Sequence, residues 1–331
     1  MKLAMIGSYG HWNLALDGAV RSAGVQLSAV ARYGPDDPLP YLGKHPAAPA
    51  GMPVYDDYRE MLDAVRPDAV GVFTPLHRLA RTSIDAARRG CHILSEKPLA
   101  TTLEDLAALR SAVEASGVRA AAPMNLRGWP AFQAARQAVR DGRIGRPILA
   151  CGQKSYPFGS RDEYYRQRRT YGGSIPWSAI HAIDFIMYCT GTDFVRVAAM
   201  HSNAAHPTHP GMEDNGGVLL ELAGGGHAVV WFDYLRPWDK ATGRSWGDDR
   251  LRIVGTEGTV EVVDEARRTV LMTPTAVEDF PLPHERHVGA EFLDSLQGRG
   301  EGLISTRESF RITEVALKAR DAADAGRVVD L

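Results

Sequence analysis

Short apolar runs alternate with amphipathic segments through the first third of the chain. LAMIG (3–7), LSAVA (27–31), AVGVFT (69–74) and CHILS (91–95) read as buried strands. Between them, residues 11–23, DDYREMLDAV (56–65), HRLARTSIDAARR (77–89) and TLEDLAALRSAVEAS (102–116) space their apolar positions as helices do. Strands alternating with helices make βαβ units, so the pattern predicts a parallel sheet covered by helices on both faces. Gly24, Gly90 and Gly117 stand where helices close in the left-handed conformation. Thr101 and Glu104 have the spacing of a capping box, ahead of a Leu103, Leu106, Leu109 and Val113 stripe.

After RAAAPMN (119–125) the pattern changes. A helix over Pro130–Asp141 precedes a polar, aromatic stretch, and SAIHAIDFIMYCTG (178–191) reads as a further helix. Six extended segments follow: VRVAAMHS (195–202), GGVLLEL (216–222), HAVVWFDYL (227–235), DRLRIVG (249–255), TVEVV (259–263) and TVLMTP (269–274). Short turns between them favour an antiparallel sheet. In WGDDRLRIVGTEG, Asp248 and Asp249 read as solvated turn residues. The alternating Val218, Leu220 and Leu222 suggest a face that either a partner copy or the chain's own helices cover. A terminal helix spans about Arg307 to Ala325. The fold class is therefore α/β, with an N-terminal Rossmann-type doubly wound sheet (1–122) and a C-terminal α+β domain (123–331) built on a large, mostly antiparallel open sheet.

Composition narrows the function. A formal net charge of -2 over 331 residues leaves no electrostatic footprint for nucleic acid or an anionic membrane. No segment reaches the 18 uninterrupted apolar residues of a span. Cys91, Cys151 and Cys189 are too few and too scattered for a disulfide framework, which suits a reducing, cytoplasmic setting. His201, His206 and His209, and His284 with His287, lack metal-site spacing, so no metal is expected.

The turn MIGSYGHW opens the first helix, where backbone amides and the helix dipole can hold a pyrophosphate. Gly7 and Gly10 fit the dinucleotide fingerprint, whereas Tyr9 and Trp12 stand where two glycines are usual, with His11 between. Arg32 ends the second strand, where an acidic residue would read a ribose hydroxyl. A guanidinium there suits a 2′-phosphate, leaning the choice between NAD and NADP toward NADP. SEKPLA (95–100) lies at another strand end, so Glu96 and Lys97 face the crevice where such sheets bind ligands. Partial burial beside a positive nicotinamide ring would fit Lys97 for handling a proton, with Glu96 orienting its ammonium.

TPLHRLA, SEKPLA, MNLRGWPAF, GRIGRP, YGGSIPWSAIHAID and IVGTEGTVEV, in this order, resemble the signatures of the Gfo/Idh/MocA oxidoreductases, the family of glucose-fructose oxidoreductase and inositol dehydrogenase. The resemblance implies NAD or NADP as cofactor, a sugar, sugar acid or polyol as substrate, and a homodimer or homotetramer. It maps proton handling onto Lys97 and His181. Thr74, Pro75 and His77 match the segment bordering the cofactor, and Arg127, which matches an arginine near the domain junction, is expected with Lys97, Trp177 and His181 among the substrate contacts. Inositol-dehydrogenase-like members carry an aspartate four residues before the histidine; this chain has Trp177. Asp184, one helical turn after His181, and Lys154, Tyr156 and Tyr171 offer polar groups for a hydroxyl-rich ligand. Two alternatives stay open. In one, tightly bound NAD serves transient oxidation in glycoside cleavage, elimination or epimerisation; in the other, the chain is a non-catalytic nucleotide sensor.

Overall fold

The computed structural model describes residues 1–331. In chain order the first elements are β1 (Lys2–Ile6), α1 (Asn13–Arg21), β2 (Gln26–Ala31), β3 (Val54–Tyr55), α2 (Tyr58–Val65), β4 (Ala69–Val72), α3 (Leu79–Ala87), β5 (His92–Ser95), α4 (Leu103–Ser116) and β6 (Ala120–Ala121). Their strands form one parallel sheet in the order β3-β2-β1-β4-β5-β6. The order reverses beside β1, the place where open α/β sheets present a ligand crevice at their carboxyl ends. Helix α4 starts one residue later than the capping box predicts: Thr102, not Thr101, accepts the Asp105 N–H at 3.1 Å. Thr101 is buried instead, while Leu106, Leu109 and Val113 face the core as their spacing requires.

The second set comprises α5 (Pro130–Arg140), β7 (Pro147–Ser155), α6 (Arg168–Tyr171), α7 (Ile180–Thr190), β8 (Phe194–Ser202), β9 (Asn215–Leu222), β10 (His227–Asp233), β11 (Asp248–Gly255), β12 (Thr259–Val263), β13 (Arg268–Met272) and β14 (Val277–Asp279). Then follow α8 (Val288–Leu296), α9 (Thr306–Ala325) and β15 (Val329–Asp330). A nine-stranded sheet runs β14-β13-β12-β11-β7-β10-β9-β8-β15, antiparallel throughout except for the β7–β10 pair. Strand β7, hidden in the polar stretch that follows α5, is its middle strand.

The chain forms two compact units, Met1–Asn125 with His287–Thr313, and Leu126–Arg286 with Glu314–Leu331. A single cut in the sequence cannot express this, because α8 returns to pack on α1. The two helices approach at glycine: a Cβ on Gly18 would meet the Gly289 backbone at 2.7 Å.

The register of the large sheet identifies its covered face. Gly152 on β7 lies against Ala182, Phe185 and Ile186 of α7. Val230 pairs with Gly152 and Val218 with Val230, so all three point toward that helix. Val218, Leu220 and Leu222 are thus buried by the chain itself, not by a partner copy. The opposite face is uncovered and displays Met200, Leu219 and Trp231.

Helix α7 carries His181, and its seat depends on Gly152. A Cβ there would stand 3.0 Å from both Phe185 and Ile186. Gly152→Val is therefore expected to lower stability by about 1–3 kcal/mol through overpacking. Urea denaturation followed by circular dichroism would measure this, and an unchanged midpoint would contradict the packing.

Candidate functional site

In the first unit the chemistry gathers at the carboxyl ends of β1, β4 and β5. Gly7 and Gly10 take positive φ, +82° and +64°, and turn the chain from β1 into α1. At Gly7 a Cβ would run into the Phe73 carbonyl, and at Gly10 into the Glu96 carboxylate. Side chains are therefore excluded from both positions by space as well as by conformation. Glu96, fully buried, accepts the His11 backbone N–H at 2.5 Å and lies 2.9 Å from His11 Nδ1; its other oxygen accepts the Lys97 N–H at 2.9 Å. Burial alone would raise the Glu96 pKa. The His11 charge and hydrogen bonds, with the Lys97 charge, hold it below the usual carboxylate value instead. The Lys97–Pro98 peptide is cis, and Lys97 is 2% exposed.

Tyr9 and Trp12 replace glycines of the fingerprint. The Tyr9 N–H is fixed to the Phe73 carbonyl at 2.8 Å. The Trp12 ring packs on Tyr41, centroids 5.0 Å apart, and Tyr41 donates to the Gly7 carbonyl at 3.0 Å. Buried Asp37 accepts from Ser8 and from the backbone of Tyr33 and Leu39. Arg32 donates to the Asp37 carbonyl and lies 3.5 Å from Asp56. Thr74 is 1% exposed with no hydrogen-bond partner for its hydroxyl, and it borders a cavity of about 420 Å³ together with His77. Pro75 precedes the short turn Leu76–Arg78 that carries His77. The glycine cradle and the unpartnered hydroxyl fit a dinucleotide, with its pyrophosphate on the first turn of α1.

In the second unit the polar residues form buried pairs. Arg127 grips Asp184 through Nε (3.0 and 3.1 Å) and Nη2 (2.7 Å), with side chains 1% and 2% exposed. Sequence offered both as ligands for a substrate; the structure matches each to the other, since a buried guanidinium requires a carboxylate. Lys154 Nζ lies 2.7 Å from Asp249 Oδ2, and the two residues face each other across the β7–β11 ladder. Burial lowers the Lys154 pKa and raises that of Asp249, against the pull of each partner's charge. Asp248 and Asp249 are thus not solvated turn residues: both lie in β11 and are buried.

An aromatic chain surrounds the Lys154 pair. The Lys154 ammonium stands 4.6 Å from the Tyr156 ring centre, and Tyr156 stacks on Tyr234. The Tyr234 hydroxyl lies 3.0 Å from that of Tyr171, which donates to Ser174. Tyr171 is fully buried, and burial raises its phenol pKa well above the usual value. Tyr165 packs beside Tyr171 and edge-on to Trp177. Trp177 (7% exposed) lies in a short π-helical turn leading into α7, where His181 is 5% exposed. Sequence reading missed Tyr234 and Asp249, whose only signal is cross-strand register.

Glu265 fastens the rim of this region. Asp264, Glu265 and Ala266 all take positive φ between β12 and β13, a costly conformation for side-chain-bearing residues. The buried Glu265 carboxylate meets Arg236 (2.5 Å), Arg244 (2.6 Å) and Arg267 (2.8 Å), and accepts the Ser245 N–H. Arg236 also reaches Asp248, the neighbour of Asp249, at 3.2 Å. Among the histidines, His206 lies 3.0 Å from Asp214 and stacks on Phe158, and His201 meets Asp324. No three His, Cys, Asp or Glu side chains gather as a metal site, and no helix is long and apolar enough to cross a membrane.

Comparison with known proteins finds two family profiles on the chain. Residues 3–123 match an oxidoreductase family with an NAD-binding Rossmann fold, GFO_IDH_MocA, and residues 132–261 match the GFO/IDH/MocA C-terminal domain. A solved chain from Thermotoga maritima, assigned as an oxidoreductase without a named substrate, shares 34% identity and superposes with a TM-score of 0.93 over 100% of both chains. D-apiose dehydrogenase of Paraburkholderia graminis is 26% identical over 84% of this chain and 76% of its own length. The NAD(+)-dependent scyllo-inositol 2-dehydrogenase of Bacillus subtilis is 28% identical over 68% of this chain and 64% of its own.

Two outcomes check the buried charges. Asp184→Asn leaves a buried guanidinium short of its charge partner and is expected to cost about 3–5 kcal/mol in urea denaturation, with much of the loss recovered by Arg127→Met/Asp184→Leu. A D184N protein as stable as the parent would remove the structural role. Glu265 is held at about 2, since its hydrogen bonds to Ser245, Arg244 and Arg236 outweigh the upward push of burial. A depressed carboxyl stabilises fully above its unfolded value of about 4.5 and loses that contribution as pH falls through about 2. The Tm deficit of Glu265→Gln should accordingly be present at pH 7 and shrink between pH 4.5 and 2; a deficit constant across this range would contradict the assignment.

Proposed function

Because the chain belongs to the Gfo/Idh/MocA oxidoreductase family, we propose that it is a nicotinamide-dependent dehydrogenase acting on a hydroxyl-bearing carbon of a sugar, sugar acid or cyclitol. The observation that carries this reading is the Glu96 tether. One carboxylate holds the backbone of the glycine turn and of Lys97, so the amine follows directly on the group that shapes the dinucleotide cradle. A buried lysine at a strand end beside such a turn is suited to proton exchange. The named activities of the Bacillus and Paraburkholderia relatives, on an inositol and on a pentose, support the substrate class.

A nicotinamide dinucleotide bound in this cradle would supply the hydride acceptor for oxidation of the carbinol carbon. Neutral Lys97 Nζ takes the hydroxyl proton, the O–H electron pair becomes the second carbonyl bond, and the chain is left holding one proton as ammonium. His181 is assigned as the second proton-handling group. Gly7, Gly10 and Thr74 would hold the dinucleotide. The connected set of Lys154, Tyr156, Tyr171 and Trp177 supplies aromatic faces and polar groups of the kind that receive polyols. Arg127 and Asp184 support this region as a structural pair.

The test is a steady-state assay with added NAD(P)+ against a panel of sugars and cyclitols, alongside cofactor titration. Lys97→Met should lower kcat by roughly 100-fold or more while leaving the cofactor Kd within about threefold. Undiminished kcat would exclude Lys97 as the proton acceptor. Turnover without added cofactor, with nucleotide copurifying, would favour redox-neutral chemistry, and binding without turnover would favour a sensor.

A further inference from the structure

We infer that the cavity beside Thr74 is a phosphomonoester site that selects NADP, and that its selecting residues are Arg78 and Arg81 rather than Arg32; this rests on the dinucleotide reading above. The cavity, about 420 Å³, lies wholly in the first unit. Tyr33, two residues beyond β2, borders it from one side; Thr74, two residues beyond β4, borders it from the other. These strands flank β1 in the sheet. The end of β2 is where open dinucleotide-binding sheets read the adenosine ribose, one ribose removed from the pyrophosphate on the glycine turn. A group bound here therefore occupies the ribose 2′ position.

Three guanidinium groups line this cavity, from Arg59, Arg78 and Arg81. Arg59 is engaged by Asp85 at 2.9 Å and lies 4.5 Å over the Tyr58 ring. Tyr58 donates to the same carboxylate at 2.7 Å. Arg78 and Arg81 differ: neither is held in an ion pair with a carboxylate. Two unneutralised guanidiniums facing one concave space, with no acid among the lining residues, make a site for a doubly charged oxyanion. The Thr74 hydroxyl, buried and without a partner, is a further donor bordering the same space. Arg32, which sequence position favours, is already committed to the Asp37 carbonyl and lies 3.5 Å from Asp56, whose negative charge would oppose a phosphate. The aromatic rings of Tyr33 and Tyr58 suit an adenine face.

The experiment titrates the full chain with NADPH, NADH and the fragment 2′-AMP by calorimetry, for the parent, Arg78→Ala/Arg81→Ala and Arg32→Ala. NADPH should bind the parent at least tenfold more tightly than NADH, and 2′-AMP should bind where adenosine does not. The double variant should lose roughly tenfold or more in NADPH and 2′-AMP affinity while NADH affinity stays within about threefold, and R32A should change the preference less. NADH binding as tightly as NADPH overturns the inference and leaves the dinucleotide reading standing. So does a double variant that weakens both cofactors equally. Absence of binding by all three ligands overturns both.

Discussion

A carboxylate buried under a glycine turn is the constraint on which the first unit's site depends. Placing Glu96 in the interior without partners would cost several kcal/mol, so the charge has to be met by donors. Those donors are the backbone and side chain of His11 and the backbone of Lys97. The ion thereby joins the turn after β1 to the end of β5, which delivers Glu96 itself, while backbone bonds tie in β4: the Glu96 N–H donates to the Val72 carbonyl and the Tyr9 N–H to the Phe73 carbonyl. The absence of side chains at Gly7 and Gly10 follows from this packing, because the space a Cβ would fill is taken by Phe73 and Glu96. The cradle is shaped from beneath by a charge rather than by a third glycine.

The second unit repeats the principle with different chemistry. Arg127–Asp184, Lys154–Asp249 and the arginines around Glu265 are ion pairs in which at least one member is buried. Pairs of this kind contribute little net stability compared with apolar packing, whereas breaking one leaves a costly unpaired charge. Lys154–Asp249 bridges β7 and β11 at directly paired positions, at the end where the aromatic residues gather. Glu265 sits in a left-handed turn, and through Arg236 it reaches Asp248 in β11. Tyr156, Tyr171, Tyr234 and Trp177 are arranged against this rigid background. A hydroxyl-rich ligand requires such pre-positioned groups, because each loose side chain adds an entropic cost to binding.

The cofactor preference proposed above rests on the same question of which charges are already matched. An arginine at the end of β2 is poorly placed to read a phosphate when neighbouring groups hold it. Arginines of the Leu76–Arg78 turn and α3 lack such neighbours, which is why the proposal rests on the neutralisation pattern and not on the position of any one basic residue.

The sequence by itself determined what depends on neighbours along the chain. Alternation of apolar runs and helical stripes was enough for the parallel sheet and most of the antiparallel one. Gly7, Gly10 and the segment Ser95–Ala100 marked the ends of β1 and β5, because turn geometry and strand termination are local. The capping of α4 was legible to within one residue. Only the tertiary structure decided the rest. Strand β7 was invisible because Gly152, whose small size seats α7, breaks its pattern. Helix α8 joins the first unit through a glycine contact with α1, across more than 250 residues of chain. Which face of β9 is covered, and whether Arg127, Asp184, Asp248 and Asp249 meet solvent or another charge, depended on cross-strand and helix–sheet contacts. A polar residue reads the same in sequence whether it binds a ligand or neutralises a buried partner, since the energy that distinguishes the two uses comes from groups distant in the chain.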